Sequence, residues 1–284
     1  MFEISHNETT FVYSGKSKLS VKGFSRSAYK TGFLIQPYNI YLDAGLHPSV
    51  KANLVLVSHT HYDHIASFYP LVEDGNNPVV MMPTQCQRAL QTMLNTLSSI
   101  NICSLKTIIP YSNWKPVPCI PNNKYTTEIN GKTIVIETFQ LCHRTACLGY
   151  GIYEQRKKLK DEYRSLSGKE IAQLKQKSDE EILFKSVEIP MILFISDTNH
   201  TILKNLPFGE FKIVIIECTF IEPEHLKEAI SRYHIHFSQL QPYIAANIDT
   251  KFILIHFSQR YKDEYLRQKE IELRSQHPNI IFWI

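Results

Sequence analysis

The sequence predicts an α/β protein in which sheets are flanked by helices, and three observations carry that prediction. Short apolar, β-branched runs recur along the chain, each stops at a polar and chemically capable residue, and helical patterns separate several of them. In chain order the runs are "YNIYLDAG", ending at Asp43, and "NLVLVSHTHYDH", ending in a histidine cluster. "KTIVIETFQLCH" then ends at His143, "MILFISDT" at Asp197, "FKIVIIECT" at Glu217 and "KFILIHFS" at His256. Runs this short and this apolar read as sheet strands buried on both faces. Helical spacing appears at 84–98, 223–233, 238–247 and 262–273. No repeat, low-complexity tract or linker is visible, so residues 1–284 read as a single domain.

Composition narrows the class. Hydrophobic residues at 43% and charged residues at 20% are ordinary for a water-soluble globular chain. No apolar run approaches the roughly 18 residues needed to cross a bilayer, so no membrane partner is expected. The opening "MFEISHNETTFVYSG" has neither a basic region nor an apolar core, so neither a signal nor a transit peptide is expected. Six cysteines without a CxxC pair suit a reducing compartment, and the nucleus or cytoplasm is the expected location. A net charge of +4 is too small to name a nucleic-acid partner by itself.

The densest chemistry is "HTHYDH", residues 59–64. His59 and His61, two apart in extended chain, point to one side beyond the strand, while Asp63 and His64 follow as the chain turns. Imidazole with carboxylate suits zinc, with iron or manganese as alternatives. Four candidate ligands exceed what one ion takes from so tight a turn, so two metals per chain are expected. His143, Asp197 and His256, each at a strand end, supply the remaining donors. Strand ends converging on one site are where open sheets place their chemistry.

An HxHxDH cluster followed by His, Asp and His on later strands resembles the metallo-β-lactamase superfamily. The resemblance implies an αββα sandwich, two mixed β-sheets packed face to face with helices on the outer faces. It implies that His59, His61 and His143 hold one Zn²⁺, that Asp63, His64 and His256 hold the other, and that Asp197 bridges them. Asp43 is similar to the aspartate that orients such ligands from behind.

Four further stretches point to one branch. "CHRTACLGY" sets Gly149 and Tyr150 six and seven residues after His143, "LIHFSQRY" is close to a His-Phe-Ser-x-Arg-Tyr signature, "IECTF" resembles a Glu-x-Thr element, and "YHIHFSQ" resembles a His-Ser-Thr element. Together they resemble ribonuclease Z, the tRNA 3′-processing endonuclease. "LKDEYRSLSGKEIAQLK" and the chain length suit its short, plant-like form, which is generally a homodimer. Aligning Gln239 with the family glutamine makes His234 the counterpart of the catalytic histidine and leaves His236 without an assigned role.

The resemblance implies zinc-dependent removal of the 3′ trailer from precursor tRNA, leaving a tRNA 3′-hydroxyl and a trailer 5′-phosphate. Asp63 would take the proton of the attacking water, His234 would protonate the leaving oxygen, and Glu217 would orient His234. The alternatives are a small-molecule hydrolase of the same fold (phosphodiesterase, lactonase or thiolesterase) and, from another class, a silent RNA-binding protein. From Arg156 to Lys177 the chain carries eight Lys or Arg against three acids. That stretch reads as a basic helical insertion at about 154–182. It is either a solvated face or a phosphate-tracking arm near the mouth of the site. Lys157, Lys158, Lys160 and the Arg260 of "HFSQRY" are the expected substrate-binding residues.

Overall fold

The structure, a computed structural model, describes residues 7–73, 77–103, 110–177 and 180–284. Residues 1–6 of the opening segment and residues 178–179 of the insertion lie outside the described residues.

Two seven-stranded sheets are formed in strict chain order. The first contains β1 (Asn7–Ser14), β2 (Ser17–Arg26), β3 (Lys30–Gln36), β4 (Ile40–Leu42), β5 (Leu54–Leu56), β6 (Val79–Pro83) and β7 (Lys115–Cys119). The second contains β8 (Lys124–Ile129), β9 (Lys132–Gln140), β10 (Leu148–Leu159), β11 (Phe184–Ile195), β12 (Ile213–Glu217), β13 (Lys251–Ile255) and β14 (Ile280–Phe282). In each, four strands form an antiparallel meander and the last three add in parallel.

Alternation of buried and accessible positions along β2 gives that strand one core face, whereas all five residues of β12 are buried. One apolar cluster joins the inner faces of both sheets, with Leu19, Phe33, Ile40 and Leu54 meeting Ile136, Tyr150, Phe194 and Ile215. Helices α1 (Tyr62–Ile65), α2 (Phe68–Glu73) and α3 (Gln87–Asn101) cover the outer face of the first sheet. Two short helices, α4 (Gly168–Lys177) and α5 (Glu180–Leu183), lie between β10 and β11. Helices α6 (Leu226–Arg232), α7 (Phe237–Ala246) and α8 (Asp263–Arg274) lie in the crossovers of the second sheet, whose outer face buries Leu240, Ile244 and Leu266. The layers run helix, sheet, sheet, helix, as expected. The four predicted helical stretches are recovered within a few residues, two of them opening in 3₁₀ turns at Thr84–Cys86 and Pro223–His225.

The insertion differs from its expectation. Residues 154–159 are the outer half of β10 and not helix, and among the described residues helix is confined to a 3₁₀ turn at Asp161–Tyr163, α4 and α5. β9 accompanies β10 only to Glu154, and β12 joins β11 from Leu193. From Gln155 to Leu159 and from Phe184 to Glu188 the two strands pair with one another as a ribbon. Cross-strand pairing overrides the helical preference of a Lys- and Arg-rich segment, because each residue gains partners there that an isolated helix cannot offer.

Candidate metal centre

The parallel strands of both sheets end at the same side of the sandwich, and their ends build the site. Asp43 follows β4 with left-handed backbone (φ 57°), as does His256 after β13 (φ 64°). Non-glycine residues pay for that conformation, and such strain gathers at functional sites. Gly45 allows the Asp43 loop to pack on α1, since a Cβ there would fall 2.0 Å from the Asp63 carbonyl oxygen.

Four histidines share one arrangement, with Nδ1 tied to the protein and Nε2 turned inward. His59 Nδ1 lies 2.9 Å from Ser58 Oγ, His64 Nδ1 2.7 Å from Asp43 Oδ2, His143 Nδ1 3.2 Å from the Tyr233 carbonyl, and His256 Nδ1 3.1 Å from Thr219 Oγ1. A proton donated from Nδ1 leaves a lone pair on Nε2, which is how proteins prepare imidazoles for metal. Asp43 organises this from behind, accepting from Ser58 N (2.7 Å), Ser58 Oγ (2.9 Å) and Ser196 Oγ (3.3 Å) as well as His64.

The donors fall into two groups. His59, His61, His143 and Asp197 place one ligand atom each within 4.8 Å of one another, and so do Asp63, His64 and His256. Asp197 faces both, with Oδ2 3.8 and 3.7 Å from His59 and His143 Nε2, and Oδ1 3.5 and 3.4 Å from His64 and His256 Nε2. His61 Nδ1 sits 3.0 Å from His59 Nε2 and 3.2 Å from His143 Nε2. Three ring nitrogens converging on one point through these two contacts suit coordination to a shared ion. His64 Nε2 and Asp197 Oδ1 are buried without a hydrogen-bond partner, which costs free energy unless something else satisfies them.

Electrostatics agree. Burial opposes charge on His64, yet Asp197 and Asp43 outweigh it and hold the imidazole up at about 9, so a proton on His64 supplies the positive charge that a bound metal would replace. Burial drives His59 and His143 down, as neutral ligands require. The carboxylates demand positive charge at the centre, and the residues present fit a bound metal.

Glu217 and His234 stand beside this cluster. Glu217 is fully buried and accepts from Thr198 N (2.7 Å), Thr219 Oγ1 (2.6 Å), Thr219 N (3.3 Å) and Ile235 N (3.2 Å). Its Oε1 lies 3.0 Å from His234 Nδ1. Burial opposes protonation of His234, but Glu217 outweighs it and raises the imidazole to about 9. His234 also reaches within 4.8 Å of Asp197 and His256. His236 points elsewhere: Nδ1 accepts from Ser238 N (3.1 Å) and caps α7, while Nε2 donates to the Glu222 carbonyl (2.9 Å).

The site opens into a cavity of about 390 Å³ lined by His61, Asp63, His143, His234 and His256, among others. The expected substrate-binding residues are not at its mouth. Lys157, nine residues along β10 from Leu148, is roughly 30 Å from the site end of that strand at about 3.3 Å per residue, with Lys158 and Lys160 farther still. The arm projects from the opposite end, because β10 begins beside His143 and runs away from it. Arg260 donates both terminal guanidinium nitrogens to Glu228 (2.9 and 2.8 Å) and lies over Phe220. Arg144 and Arg232 line the cavity instead. Sequence reading passed over both, although Arg144 is the residue after His143 and Arg232 the second before His234. Ser58 and Ser196 were also missed, since a hydroxyl behind a ligand leaves no spacing signal, and Thr219 stood only as the threonine of the Glu-x-Thr element, without a role.

An αββα sandwich with this donor set at its strand ends has the metallo-β-lactamase fold. Two solved structures establish the fold: the metallo-β-lactamase-fold protein YhfI of Bacillus subtilis (TM-score 0.59, 14% identity, 91% of this chain and 92% of that one) and human tRNase Z short form, ELAC1 (TM-score 0.53, 13% identity, 84% and 92%). In sequence the chain is similar to tRNase Z proteins. It is 26% identical over 267 residues to tRNase Z TRZ2, chloroplastic, of Arabidopsis thaliana, covering 90% of this chain and 72% of that protein. It is 24% identical over 257 residues to tRNase Z TRZ1 of the same plant, covering 85% and 86%. No family model matches the chain. Among the described residues no helix is long and apolar enough to cross a membrane.

Proposed function

We propose that this protein is a metal-dependent endoribonuclease of the tRNase Z type, removing the 3′ trailer from precursor tRNA. The observation that carries the reading is the conjunction of two ligand groups with an independent Glu217–His234 pair at one cavity. Bound metals, read here as two Zn²⁺, would supply Lewis-acid activation of water and neutralise phosphate charge. His59, His61 and His143 would hold one, Asp63, His64 and His256 the other, and Asp197 both.

The remaining chemistry belongs to the chain. Asp63, fixed by the Ala28 amide at 3.0 Å, accepts the proton of the attacking water. His234, kept protonated and oriented by Glu217, hands its proton to the leaving 3′-oxygen, so the tRNA keeps a 3′-hydroxyl and the trailer its 5′-phosphate. Carrying the Lys157, Lys158 and Lys160 side chains about 30 Å from this chemistry, the arm suits contacts to the body of a large RNA instead of the scissile bond. We read the 284 residues as one domain acting as a homodimer in the nucleus or cytosol, checked by sedimentation and by imaging of a tagged chain. Cleavage mapping on a precursor tRNA with a short trailer tests the main proposal. A single cut at the trailer junction is expected, whereas hydrolysis confined to small diesters, lactones or thiolesters would overturn it.

A further inference from the structure

Histidines aside, Arg144 and Arg232 are the cationic residues lining the cavity among the described residues. We infer that they form a phosphate clamp for the RNA strand on the 5′ side of the scissile bond, the strand that departs as the tRNA 3′ end. Both belong to one rim. Arg144 follows His143 and sends Nη2 to within 3.4 Å of the Ser231 carbonyl, one residue before Arg232 at the end of α6. Ser27 and Ala28, from the turn between β2 and β3, also line the cavity, and Ala28 holds Asp63.

Arg232 is held and not spent. Glu228 takes its Nε at 2.9 Å, which leaves the paired terminal nitrogens for a ligand. Glu228 is in turn fixed by the two-pronged grip of Arg260. Arg260 thus acts as a positioning residue two contacts behind the cavity, and guanidinium forks presented this way suit phosphate oxygens.

The assignment of strand follows from in-line displacement and rests on the proposed function. The attacking water and the leaving oxygen lie on opposite sides of phosphorus. His234 protonates the leaving oxygen, so the departing strand lies on the His234 side, where Arg144 and Arg232 stand. The trailer then leaves by the Asp63 side, past Ser27 and Ala28.

The test compares wild type with Arg144→Gln, Arg232→Gln and the double variant, using two inhibitors of precursor cleavage. One is trailer-free tRNA with a 3′-hydroxyl, and the other a 5′-phosphorylated trailer oligonucleotide. Each substitution is expected to weaken tRNA inhibition about tenfold, to raise KM for precursor comparably, and to leave trailer inhibition unchanged. The slope of log affinity for tRNA against log salt should flatten by about 0.7–0.9 per arginine removed. Unchanged tRNA inhibition overturns the clamp, and loss confined to the trailer overturns its placement. A wild-type protein that leaves precursor uncut overturns the parent reading and the clamp with it. One that cuts normally, with variants that trailer-free tRNA inhibits as strongly as wild type, overturns the clamp alone.

Discussion

Thr219 shows how much rides on single hydroxyls at the residue scale. It donates to Glu217 Oε2 at 2.6 Å and meets His256 Nδ1 at 3.1 Å, joining the candidate acid pair to a candidate ligand. Thr219→Val keeps the shape and deletes both bonds. Chelator competition should show metal affinity reduced about 10- to 100-fold, with Thr219→Ser restoring most of it. A wild-type affinity in the valine variant would mean that the hydroxyl is incidental. His234→Ala and Glu217→Ala should separate binding from chemistry: full metal content by elemental analysis, with single-turnover cleavage of precursor tRNA reduced by at least about 100-fold. Full activity in both would remove them from the mechanism.

At the scale of elements, motif residues act as ties between segments distant in sequence. Tyr150, fully buried in β10, donates at 2.7 Å to the Val57 carbonyl just ahead of the histidine cluster. Tyr150→Phe leaves that carbonyl unpaired and should cost about 1–3 kcal/mol in urea unfolding at unchanged m-value. Tyr261 accepts from Ile221 N at 3.1 Å and contacts His225 Nδ1 at 2.7 Å, anchoring the loop ahead of α6. The root of the arm is locked by a buried carboxylate. Burial pushes Glu154 up, but hydrogen bonds from Arg156, Tyr13 and Lys132 outweigh it and bring it down to about 2. Because the folded value lies below the unfolded one, its stabilisation is full above about pH 4.5 and is lost as pH falls from there through about 2. Denaturant unfolding across that window should show a shallower acid limb in Glu154→Gln than in wild type.

Across the whole molecule, the two sheets repeat one topology, a four-stranded meander followed by three parallel strands. No repeat is visible in the sequence, yet Asp43 after β4 and Asp197 after β11 occupy matching places in the two halves. Packing the sheets face to face through a shared apolar cluster brings both sets of strand ends to one edge. A cation bound there would tie the halves together and couple metal binding to fold stability. Stripping with a chelator should lower the melting temperature by several degrees, and added Zn²⁺ or Mn²⁺ should restore it, as scanning calorimetry would show. A melting temperature indifferent to chelator and metal would argue that the cluster holds no ion.

By itself the sequence determined the class of the fold, six of its strands, four of its helices and the histidine and aspartate donors that meet at the site. Periodicity is local, and each donor ends a recognisable strand, so "HTHYDH", His143, Asp197 and His256 could be picked out one by one. Tertiary structure alone decided what those residues face. It gave Asp197 one oxygen to each group, turned His234 inward and His236 into a helix cap, and drew the basic segment into a ribbon at the far end of β10. It also withdrew Arg260 into Glu228 and left Arg144 and Arg232 at the cavity. The reason is physical: direction, distance and competition between partners arise only when segments far apart in sequence pack together, and spacing along the chain carries none of the three.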